Sequence, residues 1–343
     1  MSEQPQMSPE PPPHIQLIQM GTSYWISRML YYSAKVGLAD LLADGPKSAG
    51  DLAGRVGAHE KSLYRLMRSL ASIGVLSDEG EGKYGLTELG EALRDGAPGA
   101  ARYGILAMGG DLAWKIFEHF EYSMETGEPA SVKAHGMPVF DYIAQDPELV
   151  SHFSGAMVCF HGEEPAAVAE SYDFSQFGTI ADIGGASGNL LGTILARHEG
   201  PGGILFDLPH VLKDAPALLE SKGVADRVSL EPGSFFETIS AGADAYMLSH
   251  IIHDWNEDQC QAILGNCREA MKPDSKLLII EMVLPEGGEP HPGKLLDMVM
   301  LVMPGGQERT AAEYDELLAK AGLKMTNVIP TASPVSIVEA VKA

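Results

Sequence analysis

Two groups of residues in this sequence have the types and spacing to do chemistry, and each falls where an apolar run ends. The first is D-x-G-G-A-x-G, formed by Asp182, Gly184, Gly185, Ala186 and Gly188, behind the run Thr179–Ile183 and ahead of Asn189–Arg197. Glycines at the end of a buried strand let the chain turn sharply and let a ligand approach the backbone, because no Cβ intervenes. The helix that starts next offers unpaired N–H groups and the positive end of its dipole. A dinucleotide fingerprint, G-x-G-x-x-G, does not fit. Counted from Gly184 it meets Ala186 and Asn189, and counted from Gly185 it meets Ser187 and Leu190. The next apolar run, Gly203–Asp207, ends in an acid placed to accept two ribose hydroxyls. The pair reads as a nucleoside cofactor site without demand for a pyrophosphate. The glycine turn alone would also suit a tight strand-to-helix connection.

The second group is His253, Asp254 and Trp255, at the end of another apolar run, with Glu281 and Glu308 further on. A carboxylate within reach of an imidazole holds one ring nitrogen and frees the other as a base. Glu281 is one candidate, because an unpaired carboxylate in the strand-like LLIIEMV is costly. Glu308, in the polar turn PGGQERT, is the other. The plainer reading makes His253 a satisfied structural residue, and residue types alone leave both open.

These residues need a frame. From Phe177 onward strands and helices alternate: after the two runs above come strand candidates Arg227–Leu230, Ala243–Leu248 and Ser275–Val283, separated by helices Val211–Lys222 and Glu257–Met271. Such alternation predicts a parallel sheet with helices on both faces, with ligands outside the carboxyl ends of its strands. The third run leads to Gly233-Ser234-Phe235-Phe236, a further tip facing the same rim. Helix Thr310–Ala321 is followed by LKMTNVIP and PVSIVEAVKA. Their short connection predicts a hairpin, so that the last strand runs antiparallel in a seven-stranded α/β sheet.

Upstream, His14–Asp44 has helical periodicity but is too apolar for a lone surface helix, so burial against a second copy of the chain is expected. Ser48–Val56, Glu60–Ile73, a hairpin in VLSDEGEGKYGLT and Glu88–Arg94 give the order of a winged helix. That order suits DNA binding or dimerisation. A formal charge of −23, from 47 acids against 24 bases, opposes nucleic acid and anionic membranes as partners. The chain therefore divides into a disordered lead (1–14), a winged-helix dimerisation domain (15–100), a helical connector with an aromatic lining (101–172) and a catalytic domain (173–343). No apolar run approaches a membrane span, and no signal-peptide pattern opens the chain. Cys159, Cys260 and Cys267 lack metal-ligand spacing, which suits a reducing, cytoplasmic setting.

Taken in order, the segments HGMPVFDY (135–142), DIGGASG (182–188), FDLP (206–209), GSFFE (233–237), HIIHDW (250–255), IIEMVLP (279–285) and LLDMVMLVMPGGQERT (ending at Thr310) run along most of the chain. In them the chain resembles the class I S-adenosylmethionine-dependent O-methyltransferases, specifically the caffeic acid, flavonoid and hydroxyindole enzymes and their bacterial antibiotic-pathway relatives. The resemblance implies a Rossmann-like methyltransferase sheet behind a winged-helix dimerisation domain. It implies that Gly184, Gly185 and Gly188 hold the methionine part of the cofactor and that Asp207 accepts the ribose hydroxyls. Ser234 and Phe235 then flank the adenine and Trp255 stacks near it, with Asp182, Leu208, Gly233 and Ser249 completing the cofactor surface. His253 is the implied base, bracketed by Glu281 and Glu308, and Phe153, Met157, Phe160, Asp254, Met298 and Met303 line the acceptor pocket. Three positions depart from the pattern: Ala186 for a glycine, Ser234 for an acid common in plant members, and Ser249 for a lysine.

The implied reaction moves a methyl group from S-adenosylmethionine to the hydroxyl of a small aromatic metabolite, without a metal, in a homodimer. Rival readings are a family member with altered chemistry (decarboxylation or hydroxylation), a small-molecule-sensing winged-helix regulator, and a nicotinamide dehydrogenase. The intact His253 opposes the first, the acidic charge the second, and the failed glycine spacing the third.

Overall fold

The computed structural model describes residues 11–99 and 101–343, so most of the expected lead lies outside the described residues. The chain forms two compact units, one spanning the described residues up to Trp114 together with Ile143–Phe160, the other Lys115–Tyr142 with His161–Ala343.

In the first unit the helical stretch expected over 14–44 is three helices, Pro13–Gly21, Tyr24–Lys35 and Leu38–Leu42. The first begins at a proline, whose missing N–H costs nothing at that position. The Thr22 hydroxyl returns a hydrogen bond to Ile18 O (2.8 Å) at the first break. At the second, Gly37 adopts a left-handed conformation (φ 64°). Ile15, Leu17, Ile18, Met20, Tyr24, Trp25 and Ile26 are exposed. Helix Ala49–Val56 starts with a capping box between Ser48 and Asp51, and Glu60–Ser72 buries Leu63, Met67 and Leu70 on one face. The hairpin strands Leu76–Asp78 and Lys83–Leu86 pair antiparallel, and a third strand, Lys47–Ser48, joins the edge. Two residues carry no periodicity, which is why the sequence does not announce it.

The second unit holds a seven-stranded sheet of Thr179–Ile183, Gly202–Asp207, Val228–Pro232, Ala245–Ser249, Lys276–Glu281, Leu323–Pro330 and Ser336–Lys342. Numbered along the chain, the spatial order is 3-2-1-4-5-7-6. The seventh strand alone runs antiparallel to its neighbours. Alternate residues serve opposite faces: Tyr246 and Leu248 pack with Ile263, Tyr314 and Leu317, while Ala245 and Met247 pack with Leu191, Ile194 and Leu219. The order reverses between strands one and four, and the glycine turn leaves strand one at that switch point.

Two departures from expectation have local causes. The helix read over 211–222 opens as a 3-10 turn, Leu212–Asp214, and restarts as Ala215–Ser221. Pro216 has no N–H to give to Leu212, so one continuous helix cannot form. The strand read over 275–283 ends at Glu281, and Val283–Leu284 instead pairs in parallel with Arg309–Thr310. That small ladder carries the segment bearing Glu308 alongside the one bearing Glu281.

Candidate active site

The first half of the site is backbone. Gly184 (φ 72°) and Gly188 (φ 78°) are left-handed. A Cβ on Gly184 would lie 2.6 Å from Ile251 Cδ1, and one on Gly185 would lie 2.5 Å from Asp182 Cγ. The turn is tied down by Gly184 N–H donating to Phe206 O and Gly188 N–H donating to Gly185 O, both 2.8 Å. Asp207 holds the turn as well as facing it. Its Oδ2 accepts from Ala186 N–H (2.9 Å) and its Oδ1 from Leu208 N–H (2.6 Å), and each oxygen keeps a second lone pair for a hydroxyl.

Asp182 is buried, and its Oδ2 has no partner among the described residues. Burial, and then the Asp207 charge, push its carboxyl up to about 7. Such an orphaned acceptor beside a cradle that any Cβ would fill fits a polar cofactor with hydrogen-bond donors. Ala186 occupies the left-handed region (φ 50°) although it carries a Cβ. The substitution is accommodated under strain.

Around the turn, a Cβ on Gly233 would meet the Phe206 ring at 2.6 Å. The Ser234 hydroxyl accepts from Phe236 N–H at 3.3 Å. Trp255 packs edge-on against Phe235 and Phe236, with centroids 6.0 and 4.8 Å away, and Ser249 closes the fourth strand.

The second half is a cage of charge. His253 sits in the 3-10 turn Ile252–Asp254 and is 7% exposed. Its Nδ1 lies 2.7 Å from Glu308 Oε1, and its Nε2 lies 3.7 Å from Asp254 Oδ1. Glu281 does not take the other ring nitrogen. Its Oε1 accepts the backbone N–H groups of Ile251 and His253, both at 3.1 Å, and its Oε2 accepts the Tyr314 hydroxyl. The reason is position: Glu281 ends a strand beneath the turn, so it meets the turn's backbone before it can reach the ring.

Glu308 reaches the ring because the PGGQ loop presses against the turn. Gln307 N–H donates to His253 O at 2.9 Å, and a Cβ on Gly306 would stand 1.8 Å from that oxygen. Glu308 N–H is in turn held by Asp297 Oδ1 at 2.8 Å. The buried Arg309 donates to Gln307 O at 3.0 Å.

Burial alone would lower the His253 imidazole, but the Asp254 charge, the Glu308 hydrogen bond and the Glu281 charge overcome it and raise the group to about 10. Burial pushes the Asp254 carboxyl up to about 6 against the pull of His253.

Beside the cage, one donor atom each from His161, Glu164 and His250 lie within 4.8 Å of one another. His250 Nε2 is 2.8 Å from Glu164 Oε2. The two imidazoles, however, stack with centroids 4.1 Å apart and planes 10° from parallel. A metal lies in the plane of each ring it binds, so the trio is no preformed metal site. Burial and the neighbouring histidines push His161 down to about 3, so it stays neutral. His250 is held at φ 52°, a strained backbone beside the turn that carries His253.

The expected acceptor-lining residues are drawn from both units. Met298, on helix Pro292–Val302, and Met303 lie in the second unit with Asp254, and Met303 is buried. Phe153, Met157 and Phe160 share helix Pro147–His161 and belong to the first unit. There Phe160 lines a cavity of about 580 Å³ with Ile26, Leu30, Ile105, Met108 and Cys159. The sequence reading passed over Tyr314, Arg309, Asp297, His250, His161 and Glu164. Tyr314 reads as plain helix core and His161 and Glu164 fall in no motif, whereas His250, Asp297 and Arg309 lie inside the quoted segments but have no role assigned to them there.

Residues 117–324 match the O-methyltransferase domain, and residues 18–95 match the O-methyltransferase dimerisation domain. The chain is 44% identical over 324 residues to a phenazine O-methyltransferase from Lysobacter antibioticus, covering 94% of this chain and 95% of that protein. The crystal structure of LaPhzM superposes with a TM-score of 0.92 at 42% identity, covering 97% of this chain and 100% of that one. An O-methyltransferase of neocarzinostatin biosynthesis, solved with S-adenosylmethionine and 2-hydroxy-5-methyl naphthoic acid, matches with a TM-score of 0.82 at 34% identity over 93% of this chain and 96% of its own. With a glycine cradle at the switch point and these relatives along nearly its whole length, the chain belongs to the S-adenosylmethionine-dependent O-methyltransferases.

Proposed function

We propose that this enzyme methylates a hydroxyl of a flat aromatic metabolite and that His253 is its general base. The observation that carries the reading is the 2.7 Å contact between His253 Nδ1 and Glu308 Oε1 inside a buried carboxylate cage. That contact fixes which ring nitrogen is committed and leaves Nε2 for the acceptor proton.

A phenol, with a pKa near 10, is only about one part in a thousand ionised at neutral pH. A base raised to about 10 is matched to such a phenol, so proton transfer between them is close to balanced. The cofactor supplies a methyl group on positively charged sulfur, an electrophile that needs no metal. The chain's own task is to hold the acceptor oxygen in line and to hold the proton at Nε2. Asp182, Gly184, Gly185, Gly188, Asp207, Leu208, Gly233, Ser234, Phe235, Ser249 and Trp255 are the proposed cofactor surface. Asp254, Met298, Met303, Phe153, Met157 and Phe160 are proposed for the acceptor, and Glu281 supports the base through the backbone.

The phenazine and naphthoic acid named for the two relatives support a fused-ring acceptor. The dimerisation-domain match and the exposed N-terminal apolar residues support a homodimer. The domain limits 15–100, 101–172 and 173–343 are part of the same proposal, as is a cytoplasmic site of action. Among the described residues no helix is long and apolar enough to cross a membrane.

The test is incubation with labelled S-adenosylmethionine and a panel of phenols, catechols and hydroxyquinones, with and without a chelator, scored by product mass. Transfer to at least one hydroxyl, undiminished by chelation, is expected. Decarboxylated or hydroxylated products instead would overturn the reading.

A further inference from the structure

Glu281 is wholly buried, and its carboxylate is fully engaged: one oxygen collects the two N–H groups of the turn that carries His253, the other takes the Tyr314 hydroxyl. Tyr314 is itself buried on helix Ala311–Lys320, which starts with a capping box at Thr310, two residues beyond Glu308. The same segment therefore touches the base twice, through Glu308 on the ring and through Tyr314 and Glu281 on the backbone.

We propose that Tyr314 is a positioning residue for methyl transfer, its hydroxyl holding the Glu281 carboxylate under the His253 turn. This rests on the reading of His253 as base. A buried carboxylate needs a donor for each oxygen, and loss of one donor leaves a costly unsatisfied group. Nothing else among the described residues donates a side-chain hydrogen bond to Glu281 Oε2. Without the hydroxyl, the carboxylate is free to turn toward another donor such as Arg309, whose charge already acts on Tyr314 and whose guanidinium reaches the same turn at Ile252 O (3.4 Å). The two backbone bonds would then slacken and the ring would drift from Glu308. A sub-ångström drift of a base is enough to cost turnover while leaving the glycine cradle intact.

The experiment is a double-mutant cycle of Tyr314→Phe and Glu281→Gln, read as kcat with a responsive phenol and as S-adenosylhomocysteine affinity by calorimetry. Tyr314→Phe is expected to lower kcat about 10- to 100-fold with affinity unchanged within about twofold. Its effect should nearly vanish in the Glu281→Gln background, because two residues acting through one contact are not additive. Unchanged kcat, parallel loss of cofactor affinity, or multiplicative effects would overturn the proposal. Should Tyr314→Phe fail to fold, Glu281→Gln alone decides: wild-type turnover there shows that the Tyr314–Glu281 contact does not position the base, and overturns the proposal. Failure of the base reading is separate, since it shows as an active His253→Ala enzyme.

Discussion

At the carboxyl ends of the first two strands the surface is mostly backbone: Gly184, Gly185 and Gly188 carry no Cβ, and Asp207 braces the turn by accepting from Ala186. At the ends of the fourth and fifth strands it is side chains: His253 stands among Asp254, Glu281 and Glu308. The first region works by leaving side chains out, so its properties are shape and hydrogen bonding. The second works by burying charge, so its properties are proton affinity and pH response. On the proposed roles, binding and chemistry are built from different materials, and substitutions should separate them.

The largest separation is expected from His253→Ala. Turnover should fall by about 10²–10⁴-fold while S-adenosylhomocysteine affinity, measured by calorimetry, stays within about twofold. Equal loss of both would make the histidine structural and merge the two regions.

Next in size is the pH response. Because His253 is raised from 6.5 to about 10 in the folded chain, its proton stabilises the fold fully below about pH 6.5, and that stabilisation is lost as the pH climbs through about 10. A base works unprotonated, so kcat/KM for the acceptor should climb from neutrality toward pH 10, by about tenfold per unit. Glu308→Gln removes a charge that favours the imidazolium and should move the rise to lower pH. A wild-type rise centred near 6.5 would show that the cage does not act on the ring.

The cradle answers to Gly184→Ala. A side chain at φ 72° costs about 1–2 kcal/mol and meets Ile251. About tenfold weaker S-adenosylhomocysteine binding is expected, with the pH profile at saturating cofactor unmoved. A shifted profile would mean that the cradle and the cage are coupled through Ile251, whose N–H Glu281 holds.

The smallest effect is expected at Ala186→Gly, where relief of the left-handed strain, about 1 kcal/mol, is partly offset by the freer unfolded chain. A thermal melt should show a slight gain in stability with little change in affinity, and a clear loss would show that the Ala186 methyl packs usefully.

The two regions also differ in how they could be read. Strand, glycine turn and helix follow one another within Thr179–Arg197, and the acid ending strand two is equally local. The cage is assembled from distant segments. His253 was visible as a histidine at a strand tip, but Glu281 and Glu308 looked alike as partners, and only one of them reaches the ring. Tyr314 could not be distinguished from any other apolar-face residue of its helix. The breaks within the helical stretch 14–44 and after Glu281 are hidden for the opposite reason: the residue pattern persists across a break that one glycine or one change of pairing partner imposes.

By itself, then, the sequence determined the alternation that makes the sheet, the place where it turns through glycine, and the exclusion of a dinucleotide, because each depends on neighbours along the chain. The tertiary structure decided which carboxylate holds the imidazole and which holds its backbone. That choice depends on the parallel pairing of Val283–Leu284 with Arg309–Thr310 and on Gly306 lying against the His253 carbonyl. Through-space distances of a few ångströms set the charge on a buried ring, and spacing along the chain does not encode them.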